Sequence, residues 1–309
     1  MKVNILMSTY NGERFLAEQI ESILAQTFQD WTLLIRDDGS TDKTCDIISS
    51  FCEQDSRIRF INKDVKQNLG VIASFHAVLT EEAADYYFLC DQDDVWLPDK
   101  MQVCLDEAVK HPQDLPVMVY MDLKVVDENL RVLNESMIRS QSHHANTQLV
   151  QELTENTVTG GVAMFNHALA QLWQGDETII MHDWYLALLA SALGKLIYID
   201  QPGELYRQHG NNVLGARTLG KRVFKWLRPH LLFSVYWNLI KQSQNQAKNI
   251  LPFVSNSSDK DLIENYITVL EKNFFKRIYI LFKYGLKKNK WFHTIIFSTL
   301  IITKFAYKD

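Results

Sequence analysis

Short apolar runs, typical of buried β-strands, alternate along the first third of the chain with segments whose apolar residues recur at helical spacing. The apolar face of the first predicted helix consists of Leu16, Ile20, Ile23 and Leu24, at i, i+4, i+7 and i+8. This regular alternation predicts an α/β fold, Rossmann-like, with a mainly parallel sheet and helices on both faces. The predicted strands cover residues 3–7, 31–35, 58–61 and 86–90, with a helix in each interval between them.

The pattern changes at about residue 115. The further predicted elements are a strand at 116–120, a helix at 183–193, and two short closing strands at 196–199 and 204–207. After Gly215 the sequence has a helical period and no strand signal. We therefore predict two parts, an α/β domain at 1–215 and a C-terminal α-helical region at 216–309.

Charge divides the chain at the same point. Residues 216–309 contain 17 Lys and Arg against 5 Asp and Glu, a formal charge of +12, so residues 1–215 carry −17 and the whole chain −5. The four cysteines show no paired spacing and are expected to be free thiols in a reducing compartment. We find no signal peptide and no uncharged apolar run of about 18 residues, so we expect a cytoplasmic protein. No nucleic-acid partner is expected.

Polar clusters follow three of the predicted parallel strands, at residues 8–12, 37–40 and 91–94. The carboxyl ends of the strands line the ligand crevice of an open α/β sheet, so we expect these clusters to converge. Asp91 and Asp93, at i and i+2, suit a hard divalent ion such as Mg²⁺ or Mn²⁺ that also binds substrate phosphate oxygens. The alternative is a solvated acidic turn that caps the following helix. The first strand is followed by neither a GxGxxG fingerprint nor a Walker A loop.

In these motifs the chain resembles the inverting glycosyltransferases of family 2, which have the GT-A fold. The resemblance covers roughly residues 1–215 and is carried by STYNG at 8–12, QTF at 26–28, DDGSTD at 37–42, DQDDVW at 91–96, TGG at 159–161 and HDW at 182–184. Within the family, DQDDVW and YRQHGNN at 206–212 look most like streptococcal-type rhamnosyltransferases, which use dTDP-L-rhamnose to build cell-wall rhamnan polysaccharides.

The resemblance assigns the donor-side residues by position. The family's base-binding carboxylate falls on Asp38, with Ser8 and Tyr10 beside the pyrimidine. The physical chemistry agrees, because a carboxylate can accept the pyrimidine N3–H and an aromatic ring can stack on the base. The alternative for Asp38 is a turn residue before a glycine.

The same resemblance implies a metal site. Asp91 and Asp93 would hold the Mg²⁺ or Mn²⁺ that bridges the donor diphosphate, and His209 matches a position where many GT-A enzymes place a metal ligand. A structural histidine is the alternative for His209. Asp94 is an additional acid that fits either a helix cap or a sugar contact.

On the acceptor side, the family's general base falls on Asp183, which would take the proton of the acceptor hydroxyl as its oxygen attacks the anomeric carbon. Gly160 and Gly161 would let the backbone approach the acceptor, and Trp184 would form an apolar wall against a sugar face. The alternatives are a helix N-cap for Asp183, a tight turn for the glycines and a core position for the tryptophan.

Taken together, the resemblance implies a metal-dependent inverting glycosyltransferase that moves L-rhamnose from dTDP-L-rhamnose to a lipid-linked rhamnan or polysaccharide acceptor. Two alternatives stay open. One is transfer of another hexose from a UDP- or dTDP-sugar, and the other is a sugar-nucleotide-binding protein without catalysis.

The basic, aromatic-rich region 216–309 suits anionic lipid headgroups, so we predict peripheral association with the inner face of the cell membrane. Its candidate lysines and arginine are Lys221, Lys225 and Arg228 on one predicted helix face, and Lys287, Lys288, Lys290 and Lys304 around the apolar run 291–303. The alternative is a helical subdomain that packs on the catalytic domain or on a second subunit, as in a homodimer.

Overall fold

The computed structural model describes residues 1–175, 178–209 and 229–307. In this part of the chain a nine-stranded sheet is covered by helices on both faces, and further helices follow residue 229. The strands are β1 (Val3–Thr9), β2 (Thr32–Asp37), β3 (Ile58–Phe60), β4 (Tyr86–Cys90), β5 (Val95–Trp96), β6 (Val117–Val126), β7 (Val132–Asn134), β8 (Ala163–Asn166) and β9 (Lys195–Arg207).

The helices before the last third of the chain are α1 (Leu16–Leu24), α2 (Thr44–Gln54), α3 (Val71–Glu81), α4 (Lys100–Ala108), α5 (Met137–Gln141), α6 (Leu149–Glu152), α7 (His167–Ala170) and α8 (His182–Leu193). Those after it are α9 (Pro229–Ile250), α10 (Ser257–Ile267), α11 (Phe274–Tyr284) and α12 (Trp291–Thr303). Single 3₁₀ turns occur at Gly160–Val162, Leu251–Phe253 and Val269–Glu271.

The sheet order is β3-β2-β1-β4-β8-β6-β9-β5, with β7 beside β6. Strands β3, β2, β1 and β4 are parallel to one another, as the alternation of strands and helices predicts. Beyond β4 the sheet is mixed, because β8 runs antiparallel to β4 and β6 while β9 is parallel to β6. The α/β prediction is therefore confirmed, and the parallel arrangement belongs to the first four strands.

The two predicted closing strands, 196–199 and 204–207, are one strand in the structure, β9. Its pairing with β6 shifts register around Pro202, which lies opposite Asp122. Proline has no backbone N–H for the ladder, so the pairing is disturbed there without ending the strand. The sequence pattern shows this disturbance as a gap, which is why the prediction of two strands is wrong.

Two apolar cores lie on opposite faces of the sheet, and successive side chains of each strand enter them alternately. In β1, Ile5 belongs to the core under α1, α2 and α4, whereas Leu6 belongs to the core under α3 and α8. Trp237 and Ile240 of α9 are buried in the same cluster as Leu6. The predicted C-terminal helical region is therefore confirmed over its described residues, and it packs on the sheet domain. The predicted boundary at 215 and the residues Lys221, Lys225 and Arg228 lie outside the described ranges.

The segment between α11 and α12 binds the sheet domain through polar contacts. Thr154 Oγ1 donates to the carbonyl of Lys287 at 2.6 Å, Lys288 Nζ donates to the carbonyl of Thr154, and Lys290 Nζ donates to the carbonyl of Ser140 at 3.1 Å. Both ammonium groups bond to backbone carbonyls of the sheet domain, which supports the alternative that this segment packs on that domain. None of the helices in the described ranges combines the length and apolarity needed to cross a bilayer.

Candidate active site

The polar clusters after β1 and β4 meet, as the strand ends predict. Gln92 joins them, because its Oε1 accepts from the backbone N–H of Tyr10 at 2.9 Å and its Nε2 donates to the carbonyl of Tyr10 at 3.0 Å. Gly12 is required beneath this amide, since a Cβ on Gly12 would overlap the Gln92 side chain. The prediction singled out the acids of this loop and missed Gln92, whose partner is 82 residues away in sequence.

Asp38 is buried and held in place by three donors. Its Oδ1 accepts from the Arg36 guanidinium at 2.5 Å and from the backbone N–H of Leu69 at 2.7 Å, and its Oδ2 accepts from the N–H of Gly70 at 2.9 Å. A carboxylate offers about four acceptor positions, so one position on Oδ2 is left for a further donor. That arrangement is compatible with a single N–H of a base.

The neighbouring Asp37 shapes the turn instead. Its carboxylate accepts from the backbone N–H groups of Gly39 and Ser40, at 3.0 and 2.7 Å, and from the hydroxyl of Thr9 at 3.0 Å. Gly39 has a φ of +90°, a left-handed conformation that favours glycine. The role of turn residue, which was the alternative for Asp38, therefore belongs to Asp37.

The other two predicted donor-side residues differ in exposure. Ser8 Oγ donates to Ser74 Oγ at 2.7 Å, and Ser74 also accepts from Arg36 at 3.0 Å, which links Ser8 to the group that holds Asp38. The side chain of Tyr10 is 52% exposed at the same edge of the sheet. An exposed ring there is accessible to a stacking ligand.

The predicted metal-site residues also come together. Nε2 of His209, at the end of β9, lies 2.6 Å from Oδ2 of Asp93, and the rings of His209 and Phe15 are 5.0 Å apart. Burial, with the charges of Asp93 and Glu204, raises the pKa of Asp91 to about 8. Acids crowded in this way are the environment that a divalent cation stabilises.

This donor set fits Mg²⁺ or Mn²⁺. Both ions bind proteins through one or two carboxylates and complete their coordination with substrate phosphate oxygens and water. Within the described ranges, no three His, Cys, Asp or Glu side chains already surround one point as ligands. Asp91, Asp93 and His209 are therefore the residues that would hold such an ion.

Behind this loop lies a buried charged layer that sequence reasoning missed. Lys100 Nζ lies 3.3 Å from Glu204 Oε2 and 3.5 Å from the ring centroid of Trp96, and it also donates to the carbonyl of Gly161. Both charged side chains are inaccessible to solvent. The layer joins α4, β9 and the predicted acceptor turn, and no local sequence pattern signals a pair 104 residues apart.

Asp94 belongs to this layer. Its Oδ1 accepts from the backbone N–H of Arg207 at 2.8 Å, and its Oδ2 is buried without a hydrogen-bond partner. Burial and the charge of Glu204 raise the pKa of Asp94 well above its usual range. Asp94 thus anchors β9 to the loop after β4, which is neither of the two roles that the sequence left open.

Arg207 is another residue to which the sequence analysis gave no role. Its Nε donates to the carbonyl of Asp93 at 2.8 Å, its guanidinium lies 4.4 Å from the Phe15 ring centroid, and it forms an ion pair with Glu18. This buried arginine therefore fixes the backbone of Asp93. A charged residue at the end of a predicted closing strand was the available signal.

Asp183 lies at the start of α8, next to the glycine turn. Met181 occupies the N-cap position, so the N-cap alternative for Asp183 is wrong. Oδ1 of Asp183 accepts from the backbone N–H of Trp184 at 2.7 Å, and a Cβ on Gly160 would lie 3.8 Å from the Asp183 Cβ. Burial raises the pKa of Asp183 to about 6, although hydrogen bonds from the backbone of Trp184 and Gly160 lower it.

Trp184 points away from solvent. It is buried in the apolar core, and its Nε1 donates to the carbonyl of Glu152 at 2.9 Å. This position favours the core alternative over an apolar wall for a sugar. Glu152, whose pKa burial raises to about 8, is a further buried acid on this side that the sequence analysis missed.

The sequence model of glycosyl transferase family 2 matches residues 4–173, more than half of the chain. This chain belongs to glycosyl transferase family 2. The matched range includes the loops after β1, β2 and β4 and the turn at Gly160–Val162, whereas Asp183 and His209 lie beyond its end.

Relatives of this family 2 glycosyltransferase support the same assignment. It is 28% identical to the dTDP-rhamnosyl transferase RfbG of Shigella flexneri over 298 residues, 89% of this chain and 97% of RfbG. It is similar in fold to S. aureus TarS 1–349 in complex with UDP-GlcNAc, with a TM-score of 0.58 and 15% identity over 92% of this chain and 80% of that one.

A second solved structure is the mannosyltransferase PcManGT of Pyrobaculum calidifontis in complex with GDP-Man and Mn²⁺. Its TM-score is 0.53, with 13% identity over 90% of this chain and 72% of that one. At such identities the likeness shows the fold, and it confirms the expected GT-A arrangement followed by helices. The chain is thus a glycosyltransferase whose predicted donor, metal and base residues surround the same sheet edge.

Proposed function

We propose that this family 2 glycosyltransferase transfers L-rhamnose from dTDP-L-rhamnose, with inversion, to a lipid-linked rhamnan or polysaccharide acceptor. The observation that carries the choice of sugar is the similarity to RfbG, which extends over 97% of that protein and 89% of this chain. The geometry is compatible with the reaction class, because Tyr10 is exposed at the sheet edge where Asp91 and Asp93 lie, and Asp183 is a buried acid near enough to Asp91 to raise its pKa.

On the donor side, Asp38 would accept the N3–H of thymine. Three donors already fix its carboxylate, so the remaining acceptor position on Oδ2 has a defined direction. Tyr10 would stack on the base, because its ring is half exposed while Gln92 holds its backbone. This combination orients the nucleotide with a rigid carboxylate and one aromatic face.

On the acceptor side, Asp183 would be the general base. The new C–O bond forms as the acceptor oxygen attacks the anomeric carbon, its proton passes to Asp183, and the bond to the nucleotide diphosphate breaks on the opposite face. A base works best when its pKa is near the working pH, and burial gives Asp183 a pKa of about 6. The carboxylate form is then dominant at neutral pH.

Asp91, Asp93 and His209 would hold Mg²⁺ or Mn²⁺. Such an ion, when bound, neutralises the charge that develops on the leaving diphosphate. The protein's own part is to keep these side chains ready: Arg207 fixes the Asp93 carbonyl, and Asp94 ties the same loop to β9. Lys100 is paired with Glu204 in the buried layer.

A second candidate donor is a different nucleotide sugar. The fold relatives were solved with UDP-GlcNAc and with GDP-Man, so the scaffold accommodates several donors. A donor panel separates the candidates: thermal unfolding of the protein with Mn²⁺ and dTDP-L-rhamnose, dTDP-glucose, UDP-GlcNAc, UDP-glucose or GDP-mannose. We expect the largest rise in melting temperature with dTDP-L-rhamnose, and a larger rise with a UDP-sugar would reject the rhamnose assignment.

The acceptor and the place of action form the remaining part of the proposal. A lipid-linked acceptor lies at the membrane, and an enzyme bound to the inner face of the cell membrane meets that acceptor at a raised effective concentration. The formal charge of +12 on residues 216–309 supports attraction to anionic lipids. Transfer to membranes that contain the acceptor, measured with and without salt extraction, tests this part.

A further inference from the structure

We propose that one face of α11, formed by Phe275, Tyr279 and Phe282, is the surface that inserts into an anionic membrane. The three aromatic residues follow at i, i+4 and i+7, so they form one stripe along the helix. Phe275 is 79% exposed, Tyr279 52% and Phe282 82%. We call these three residues the α11 stripe. The opposite face of α11 is satisfied, because Ile280 and Leu281 are buried in the core.

Basic residues surround the α11 stripe. Lys272, Lys276 and Lys287 lie on or beside α11, and none of them has an ion-pair partner among the described residues. Lys276 Nζ lies 4.7 Å from the centroid of the Tyr279 ring. Aromatic side chains flanked by lysines on one helix face are typical of helices that lie in the interface of anionic membranes.

A buried arginine adds to the positive charge of the same helix. Arg277 is buried, and its Nε and NH1 have no hydrogen-bond acceptor. Asp261 is already occupied, because it pairs with Lys283 at 2.9 Å and accepts from Tyr284. Over the described residues, Lys272 and Lys276 therefore stay without an ion pair, which favours an anionic partner outside the chain.

A second copy of the chain fits this surface less well than a membrane does. Three aromatic side chains bury on the order of 200 Å² each, which gives less than the roughly 800 Å² per partner that a stable interface buries. A two-fold contact through the α11 stripe would also bring Lys276 of each copy close to the other copy's lysines. A lipid surface accepts the rings singly and supplies the anionic groups that the lysines need.

The α11 stripe is connected to the acceptor side of the site. Lys287 and Lys288, in the segment after α11, are hydrogen-bonded to Thr154. Two residues before Thr154, the carbonyl of Glu152 accepts a hydrogen bond from Trp184. Asp183, the proposed base, directly precedes Trp184 in the sequence. The segment that follows α11 therefore contacts the chain two residues from the carbonyl that holds Trp184.

The inference rests on the membrane association included in the proposed function, and its test uses neither donor nor acceptor. The full chain is floated with vesicles of phosphatidylcholine, alone or with one-third phosphatidylglycerol, at physiological salt. The wild type should bind the anionic vesicles. Phe275→Ser with Phe282→Ser should lower the partition coefficient about 100-fold, since each buried ring contributes roughly tenfold. Lys272→Gln with Lys276→Gln should lower it roughly 25-fold, at about fivefold for each charge.

A matched control removes exposed apolar residues far from α11. Val132→Ser with Leu133→Ser changes two exposed side chains of β7 and should leave vesicle binding unchanged. Thermal unfolding should show that all three double variants fold as the wild type does, because the altered side chains lie at the surface. The proposal is overturned if the wild type ignores anionic vesicles, if the β7 variant loses binding as the α11 variant does, or if the α11 stripe instead supports a dimer by sedimentation. None of these results tests the transferase activity, which is measured separately.

Discussion

Nε2 of His209 lies 2.6 Å from Oδ2 of Asp93, although 116 residues separate them in the sequence. The contact joins the segment after β9 to the loop after β4. Both segments lie at the carboxyl edge of the sheet. Imidazole and carboxylate side chains both bind divalent ions, and we propose that this pair serves as ligands of Mg²⁺ or Mn²⁺.

This contact predicts a specific effect on metal dependence. His209→Ala should raise the Mn²⁺ concentration for half-maximal activity by about tenfold or more, because one ligand is lost while Asp93 stays. His144→Ala, at an exposed histidine on another surface, serves as the control. Titration of Mn²⁺ into the protein with dTDP by calorimetry measures the same change without turnover. An unchanged Mn²⁺ response in His209→Ala would exclude His209 from the site.

The proposed base predicts the acid limb of the pH profile. Asp183 is active as the carboxylate, and burial raises its pKa to about 6. The value of kcat/KM should therefore be independent of pH near pH 7. Below pH 6 it should decrease, and the decrease should approach tenfold for each pH unit. An acid limb with a midpoint near pH 4, the ordinary range of an exposed carboxyl group, would contradict this account.

Asp183→Asn should have opposite effects on activity and stability. Turnover should fall by about 10²–10⁴-fold, the usual contribution of a general base. The raised pKa means that the folded state binds the Asp183 proton more tightly than the unfolded state, where the pKa is near 3.8, so the ionised side chain costs stability once the pH exceeds that range. The variant should therefore be about 1–3 kcal/mol more stable than the wild type at pH 7.5, with a smaller difference at pH 4.

Urea unfolding at the two pH values measures the stability change. A variant that loses activity and stability together would indicate a structural role for Asp183. Asp46→Asn, an acid in the first turn of α2 outside the site, is a suitable control and should show no stabilisation of this kind.

The buried ion pair predicts strong coupling between Lys100 and Glu204. Lys100→Met alone should cost about 3–5 kcal/mol, because it leaves a buried carboxylate and the Gly161 carbonyl without their donor. The double variant with Glu204→Gln should recover most of that loss, because no buried charge is left unpaired. Lys260→Met on the exposed start of α10 is the control. Urea unfolding of the wild type, Lys100→Met, Glu204→Gln and the double variant gives the coupling energy. Additive losses would contradict the account.

The sequence predicts the parts of this fold that depend on local pattern and on one rule of topology. Apolar runs with helices between them predict β1 to β4, and the rule for strand ends predicts that residues 8–12 and 91–94 converge. Asp183 and His209 are predicted from the motif resemblance alone, because no sequence spacing connects them to the predicted strands. Their placement at the same edge requires the course of the chain after residue 115.

What could not be predicted depends on pairing between distant strands. The contact of Asp94 with the backbone of Arg207 exists because β5 pairs with β9 in a particular register, with Val95 opposite Leu205. Sequence period does not specify such a register when the strands are far apart in the chain. The same holds for Lys100 and Glu204. The contacts of Lys288 and Lys290 could not be predicted either. Charge alone does not distinguish a lysine that binds a backbone carbonyl of the same chain from one that faces lipid.

The central claim is that Asp183 promotes inverting transfer of rhamnose from dTDP-L-rhamnose. The most direct measurement is transfer of labelled rhamnose from this donor to the lipid fraction of membranes that contain the acceptor, with Mn²⁺, by the wild type and by Asp183→Asn. We expect labelled lipid with the wild type, an inverted anomeric configuration in the product by NMR, and at least a 100-fold loss with the variant. No transfer from dTDP-L-rhamnose, a product with retained configuration, or equal transfer by both proteins would contradict the account.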